Sequence, residues 1–128
     1  APCLDGATAA LVASVYFERI GVDHADASKV SWHPMKVFLP AEEQFKASAL
    51  EPADEVFILD YSGSVDFVRT LAARAKSVVI LDHHQTALEA FAGLKSVPAN
   101  LHLELDMLRA GATIALDYFS RRLQERLP

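Results

Sequence analysis

Two short, unbroken apolar runs stand out in the middle of the chain. Residues 56–59 and 78–81 each hold four consecutive apolar residues, and each run is followed directly by an aspartate. Runs of this length and composition are typical of parallel strands that are covered on both faces. Between them, residues 65–76 carry apolar side chains at helical spacing. This order predicts a βαβ unit with a right-handed crossover.

Three further helices are predicted around this unit. Residues 6–20 are so apolar that the helix is expected to be buried on more than one side, and Gly21 should end it. Thr86 and Glu89 form a capping-box pattern, so a helix is expected to start at Thr86. A long amphipathic helix closes the chain, with apolar positions at Leu108, Ala112, Ala115, Leu116, Phe119 and Leu123.

Shorter elements complete the expected architecture. Residues 35–39 and 101–105 predict two further strands, and residues 41–50 predict a short helix. The alternation of strands and helices predicts an α/β fold: a three-layer, Rossmann-like domain with a mainly parallel sheet flanked by helices. Residues 1–128 are expected to form a single domain, because domains usually contain about 100 to 150 residues.

Composition narrows the functional classes. The chain is 52% hydrophobic and 23% charged, with a formal net charge of −5. It is therefore apolar enough to bury a core, and too acidic to favour non-specific nucleic-acid binding through phosphate contacts. No apolar run approaches the roughly 20 residues of a membrane-spanning helix, so no membrane partner is expected. The single cysteine, Cys3, excludes an internal disulfide framework and fits a reducing compartment such as the cytoplasm.

The candidate chemistry begins where the two apolar strands end. Asp60 follows the first run and Asp82 follows the second. Ligands bind at the carboxyl ends of strands in open parallel sheets, so the two carboxylates should converge there if the strands are neighbours. A divalent cation is the usual partner of two close carboxylates. Taken singly, either aspartate is about as well explained as a turn former or a helix cap.

Two histidines directly after Asp82 strengthen the functional interpretation. His83 and His84 would lie at the ligand-binding edge, beside a carboxylate that can orient an imidazole ring. The helix expected at Thr86 would add a positive end that favours an anion such as phosphate. Isolated histidines are more often structural, but a tandem pair at this position favours a site.

These residues resemble motifs of the DHH phosphoesterase superfamily, which includes RecJ-like exonucleases, nanoRNases and family II inorganic pyrophosphatases. Residues 82–84, Asp-His-His, resemble its signature motif. Residues 3–6, Cys-Leu-Asp-Gly, resemble the first motif, and residues 59–60, Leu-Asp, resemble the second. Residues 106–113, where small residues open the last helix, resemble the fourth.

The resemblance implies a hydrolase with two divalent metal ions, manganese or magnesium, that activate water for attack on phosphorus. It implies metal ligands at Asp5, Asp60, His83 and Asp106, with Asp60 bridging the ions. Asp82 would orient the histidine pair, and His84 would face the scissile phosphate. The implied substrate is a small phosphodiester, phosphomonoester or phosphoanhydride, such as a nucleotide or a short oligonucleotide.

Several features depart from the family pattern. Cys3 stands where the family commonly has an aspartate, and the usual histidine would precede Ala1. Arg109 stands where a serine is common; it is either a substrate-binding phosphate fork or an exposed side chain. The C-terminal substrate-binding motif has no match, so the chain resembles a truncated catalytic domain of weak or no activity.

Two other functions stay open. One is a catalytically degenerate DHH-fold binding domain with an incomplete metal site. The other is a doubly wound ligand-binding domain whose motif match is accidental. The number of bound metal ions separates the three hypotheses. Two ions per chain favour the enzyme, one ion favours the degenerate domain, and none favours the ligand-binding domain whose motif match is accidental. Homodimer formation is compatible with each.

Overall fold

The computed structural model describes residues 4–36, 39–94 and 96–126. Its centre is a three-stranded parallel sheet in the order β1-β2-β3, formed by Glu55–Leu59, Ser77–Asp82 and Leu101–Leu105. Val56 pairs with Val78, which pairs in turn with Leu101. The predicted adjacency and parallel direction of the first two strands are confirmed.

Five α-helices surround the sheet in the described part of the chain. They are α1 (Leu4–Arg19), α2 (Ala41–Gln44), α3 (Val65–Arg74), α4 (Gln85–Ala92) and α5 (Gly111–Glu125). Gly21 follows α1 with a φ of 82°, a left-handed conformation that glycine adopts without steric cost. Within the described ranges, no helix combines the length and the apolar character needed to cross a membrane.

The unbroken apolar run of β2 serves two cores. Val79 and Leu81 pack on one face of the sheet against α1 and α5. Val78 and Ile80 pack on the other face, mainly against α3 and α4. Because side chains alternate along a strand, only a strand covered on both sides needs apolar residues at every position. The three-layer α/β architecture predicted from this run is confirmed.

Each core is assembled from distant segments. The buried members on the first face are Ala9, Ala13, Tyr16, Val79, Leu81, Ile114, Ala115, Tyr118 and Phe119. Those on the second face are Ala41, Phe67, Val68, Leu71, Ala72, Val78, Ile80, Phe91 and Leu101. The two cores cover both faces of the sheet, so packed side chains hold the strands that lead to its carboxyl edge.

Two elements before β1 differ from the prediction. The helix expected over residues 41–50 breaks after α2, because Phe45 is extended (φ −142°, ψ 129°) and its side chain packs toward the second core. A 3-10 turn over Ala47–Ala49 follows. Met35 and Lys36 lie outside any strand, and the middle of the strand expected over residues 35–39 falls outside the described residues.

Two helix starts also differ. The capping box at Thr86 does not form: α4 begins at Gln85 with His84 at its N-cap position, and Gln85 Nε2 donates to Glu89 Oε1. The last helix begins at Gly111 rather than near Leu108, whose side chain is 94% exposed. Short loops at the sheet edge set both boundaries, and these loops carry the candidate site.

Candidate metal centre

Asp60 and Asp82 lie side by side at the carboxyl edge of the sheet. Asp82 is the last residue of β2, and the backbone N–H of Asp60 donates to Leu81 O at 2.8 Å, which extends the β1–β2 pairing by one residue. Asp60 has a φ of 57°, a left-handed conformation that aspartate tolerates better than most residues. Strained backbone of this kind concentrates at functional sites. Both side chains are buried, with Asp60 7% and Asp82 1% exposed.

Asp82 organises the turn that carries the histidines. Its Oδ1 accepts hydrogen bonds from the backbone N–H groups of His83 (2.8 Å) and His84 (3.4 Å). The same oxygen lies 2.6 Å from His84 Nδ1. One buried carboxylate therefore fixes both the backbone of the turn and the ring of His84.

His83 is the point at which two carboxylates meet. Its Nε2 lies 2.9 Å from Asp60 Oδ1 and 3.2 Å from Asp5 Oδ2. The two histidine rings lie beside each other, with centroids 4.4 Å apart. Residues from α1, the β1 end and the β2 end therefore converge on one imidazole nitrogen, although Asp5 and His83 are far apart in sequence.

The spacing of these atoms matches the spacing of ligands around one cation. Two oxygen or nitrogen atoms at about 2.1 Å from an ion and at right angles are about 3 Å apart. His83 Nε2 is buried, and neither contact to a carboxylate has the geometry of a hydrogen bond. A cation among these atoms would satisfy the nitrogen and offset the repulsion between the carboxylates.

Asp5 is held from the opposite side by the start of α5. Its Oδ2 accepts from the backbone N–H of Gly111 and its Oδ1 from that of Ala112, both at 2.7 Å. The first N–H groups of a helix lack intrahelical partners and carry partial positive charge, so they suit a carboxylate. Asp5 therefore has both oxygens fixed before any ligand binds.

A cluster of aspartates and histidines at this edge could hold a metal ion. Asp60, Asp82, His83 and His84 each offer one ligand atom, all within 4.8 Å of one another. Asp82 Oδ1 and His84 Nδ1 already bond each other. Asp60 Oδ1 and Asp5 Oδ2 both approach His83 Nε2, so these three groups lie closest together within the site. Carboxylate oxygens and imidazole nitrogens are both common ligands of divalent metal ions.

Asp106 lies at the same edge but is engaged elsewhere. Its backbone N–H donates to Asp82 O at 3.1 Å, which places it beside the end of β2. Its carboxylate accepts from Leu108 N and from Arg109 Nε, both at 2.8 Å. These two donors lower the pKa of the Asp106 carboxyl below its ordinary value. The structure thus brings together Asp5, Asp60 and His83, whereas Asp106 is paired with Arg109.

Arg109 is held by two carboxylates. Besides Asp106, its Nη1 donates to Asp117 Oδ2 on α5 at 2.7 Å. Hydrogen bonds to both partners raise the pKa of Arg109 above its ordinary value. The side chain is therefore tied to this surface in the structure. Cys3, the other departure in the motifs, lies outside the described residues.

Sequence reasoning missed the contribution of the α5 start. The backbone of Gly111 and Ala112 contacts Asp5 across more than 100 positions of sequence. The only signal was a Gly-Ala pair at the opening of a predicted helix, which indicates close approach without naming the partner. Comparisons of this chain with protein-family models, with curated proteins and with solved structures found no match.

Proposed function

We propose that this chain is the catalytic domain of a metal-dependent phosphoesterase of the DHH type. The observation that carries the proposal is the approach of Asp60 Oδ1 and Asp5 Oδ2 to His83 Nε2, at 2.9 and 3.2 Å. The three groups meet at the carboxyl edge of a parallel sheet, where such domains bind ligands. The reaction is hydrolysis of a phosphodiester, phosphomonoester or phosphoanhydride.

The donor set favours manganese, with magnesium as the alternative. Carboxylate oxygens suit both ions, while an imidazole ligand suits manganese better than magnesium. Asp5, Asp60 and His83 would hold one ion. A second ion would use Asp60 as the bridge and Asp106 as a further ligand, once Asp106 leaves Arg109. When bound, the ions supply an activated water and neutralise the phosphoryl oxygens.

Two other residues of the site would assist the reaction: Asp82 orients the His84 ring, and His84 would transfer a proton. Asp82 holds His84 Nδ1 at 2.6 Å, so the ring keeps a fixed direction while 46% of the side chain remains exposed. A carboxylate at Nδ1 requires the proton on that nitrogen and leaves Nε2 to interact with a substrate. His84 would therefore contact a phosphate oxygen and move a proton there. A paired His-Asp unit of this kind is a common general acid–base device.

The decisive experiment compares Asp60→Asn with the unchanged protein. Asparagine keeps the shape and tolerates the left-handed backbone, so the variant mainly removes charge. Manganese binding, followed by calorimetry, should weaken strongly. The release of nucleotides from dinucleotides and short oligonucleotides, and of phosphate from pyrophosphate, should fall to background. Asp66→Asn, on the exposed side of α3, is the matched control and should change neither. Unchanged binding and turnover in Asp60→Asn would refute the mechanism.

A second function is favoured by the state of Asp106. Its carboxylate pairs with Arg109 instead of joining the cluster, so one of the residues proposed to hold a second ion is engaged elsewhere. In that case the domain binds a phosphorylated ligand without hydrolysing it. Metal analysis separates the alternatives: about two manganese ions per chain with turnover supports the enzyme, and one ion without turnover supports the binding domain.

A further inference from the structure

Gly111, the first residue of α5, lies directly against both carboxylates of the cluster. Its backbone N–H donates to Asp5 Oδ2 at 2.7 Å. A Cβ atom built on Gly111 would lie 2.5 Å from Asp60 Oδ1, 2.9 Å from Asp60 Cγ and 3.0 Å from Asp5 Oδ2. The two distances to Asp60 are shorter than real Cβ contacts, and the distance to Asp5 is tighter than most, so these neighbours would have to move.

The neighbours of Gly111 have little freedom to move. The Asp60 side chain is buried, and its backbone is fixed by the hydrogen bond from its N–H to Leu81 O at 2.8 Å. Asp5 is bonded through both oxygens to the start of α5 itself. An added methyl group would therefore push Asp60 away from its place beside His83, or push α5 away from Asp5.

Backbone conformation does not explain the glycine. Gly111 has an ordinary helical position at the start of α5, in contrast to Gly21 and Gly63, whose φ values are 82° and 74°. Alanine is the better helix former at such a position. The space taken by two carboxylates is the feature of the structure that requires a residue without a side chain here.

We propose that Gly111 is a positioning residue of the metal centre. The absence of a side chain lets the start of α5 approach closely enough to hold Asp5 through its N–H, while Asp60 keeps its contact with His83. Gly111 thereby sets the separation of two ligands that come from different parts of the chain. The metal-binding consequence rests on the proposed function, whereas the steric contact does not.

The first test compares Gly111→Ala with Gly93→Ala in the complete chain. Gly93 ends α4 and has no atom within 4 Å of a built Cβ, so it is a matched control. Manganese affinity, measured by calorimetry and by the electron paramagnetic resonance of bound Mn²⁺, should fall about 10- to 100-fold in Gly111→Ala, as for other residues that orient ligands. Gly93→Ala should bind as the unchanged protein does. Equal binding by Gly111→Ala would overturn the proposal.

The second test needs no metal. Asp60→Gly removes the carboxylate and suits the left-handed backbone, so it opens the space that an alanine at position 111 needs. Gly111→Ala should lower the urea midpoint of the unchanged protein and have little or the opposite effect in the Asp60→Gly background. An equal loss in both backgrounds would contradict the proposed contact. If the unchanged protein binds no manganese, the proposed function and the metal-binding role of Gly111 both fail, and this cycle still decides whether Gly111 packs against Asp60.

Discussion

Substituting Asp82 by asparagine tests how the histidine turn is held. Asp82 is 1% exposed, and its Oδ1 serves three donors from His83 and His84. Asparagine keeps the shape and one carbonyl oxygen, so the two backbone hydrogen bonds can persist. The change removes the negative charge that faces the His84 ring. The expected result is a less stable protein whose His84 ring is no longer fixed.

The size of the expected interaction free energy follows from the one charge-assisted contact between Asp82 and the His84 ring. A hydrogen bond to a charged group contributes about 1.5–3 kcal/mol, whereas exposed ion pairs contribute about 0.2–1 kcal/mol. The 2.6 Å contact joins a buried carboxylate to a His84 side chain that is 46% exposed, so it falls between these cases. Removing the buried charge also removes a desolvation cost, which offsets part of the loss. We expect a coupling of about 1–2 kcal/mol between the two residues.

A double-mutant cycle measures this coupling. Urea unfolding of Asp82→Asn, His84→Ala and the double variant gives the interaction free energy directly. His102→Ala serves as the control, because His102 lies on β3 and contacts Glu104 and Tyr118 rather than the histidine turn. Its effect should add to that of Asp82→Asn. A coupling between Asp82 and His84 below about 0.3 kcal/mol, the usual error of additivity, would show that the carboxylate does not hold the ring.

Three further outcomes are expected. Asp60→Ala should lose both manganese ions, and it should be about 1 kcal/mol less stable in urea than Asp60→Asn because alanine disfavours the left-handed backbone. His84→Ala should bind manganese nearly normally in calorimetry, while turnover falls roughly 100- to 10,000-fold. Since the fold lowers the pKa of Asp106, its contacts with Leu108 and Arg109 stabilise the protein above the ordinary carboxyl pKa and are lost as pH falls through the lowered value. Asp106→Asn should flatten that acid limb of the urea midpoint below about pH 5, and an unchanged limb would contradict the assignment.

The fold could be predicted mainly from the apolar run of β2, which indicates a central strand covered on both faces. Val78 and Ile80 face one core, Val79 and Leu81 face the other, and only a central strand needs both sets. The same reasoning placed Asp82 at the carboxyl edge of the sheet, since it follows this run directly. In β2 the local sequence pattern agrees with the overall fold, and this agreement is why the fold could be predicted from the sequence.

The site could be predicted only in part. Some of its contacts come from backbone groups far away in the sequence, and in others a neighbouring side chain binds a predicted ligand. Nothing in the residues near Asp5 indicates that the N–H groups of Gly111 and Ala112 will hold it. The motif order predicted Asp106 as a ligand, but spacing cannot show that an arginine three positions later will bind the same carboxylate. The start of α4 was misplaced because Asp82, rather than Thr86, orders the preceding turn.

The pairing of Asp106 with Arg109 bears directly on how a second ion would be accommodated. Arg109 keeps its charge at any physiological pH, so leaving it without a partner would be costly. Its Nη1, however, also donates to Asp117 Oδ2 at 2.7 Å. If Asp106 turned toward the cluster, Arg109 would remain paired with Asp117, and its position at the surface would leave the rest of its donors to water. Recruiting Asp106 as a ligand would therefore leave no buried charge without a partner, because Arg109 would keep its contact with Asp117.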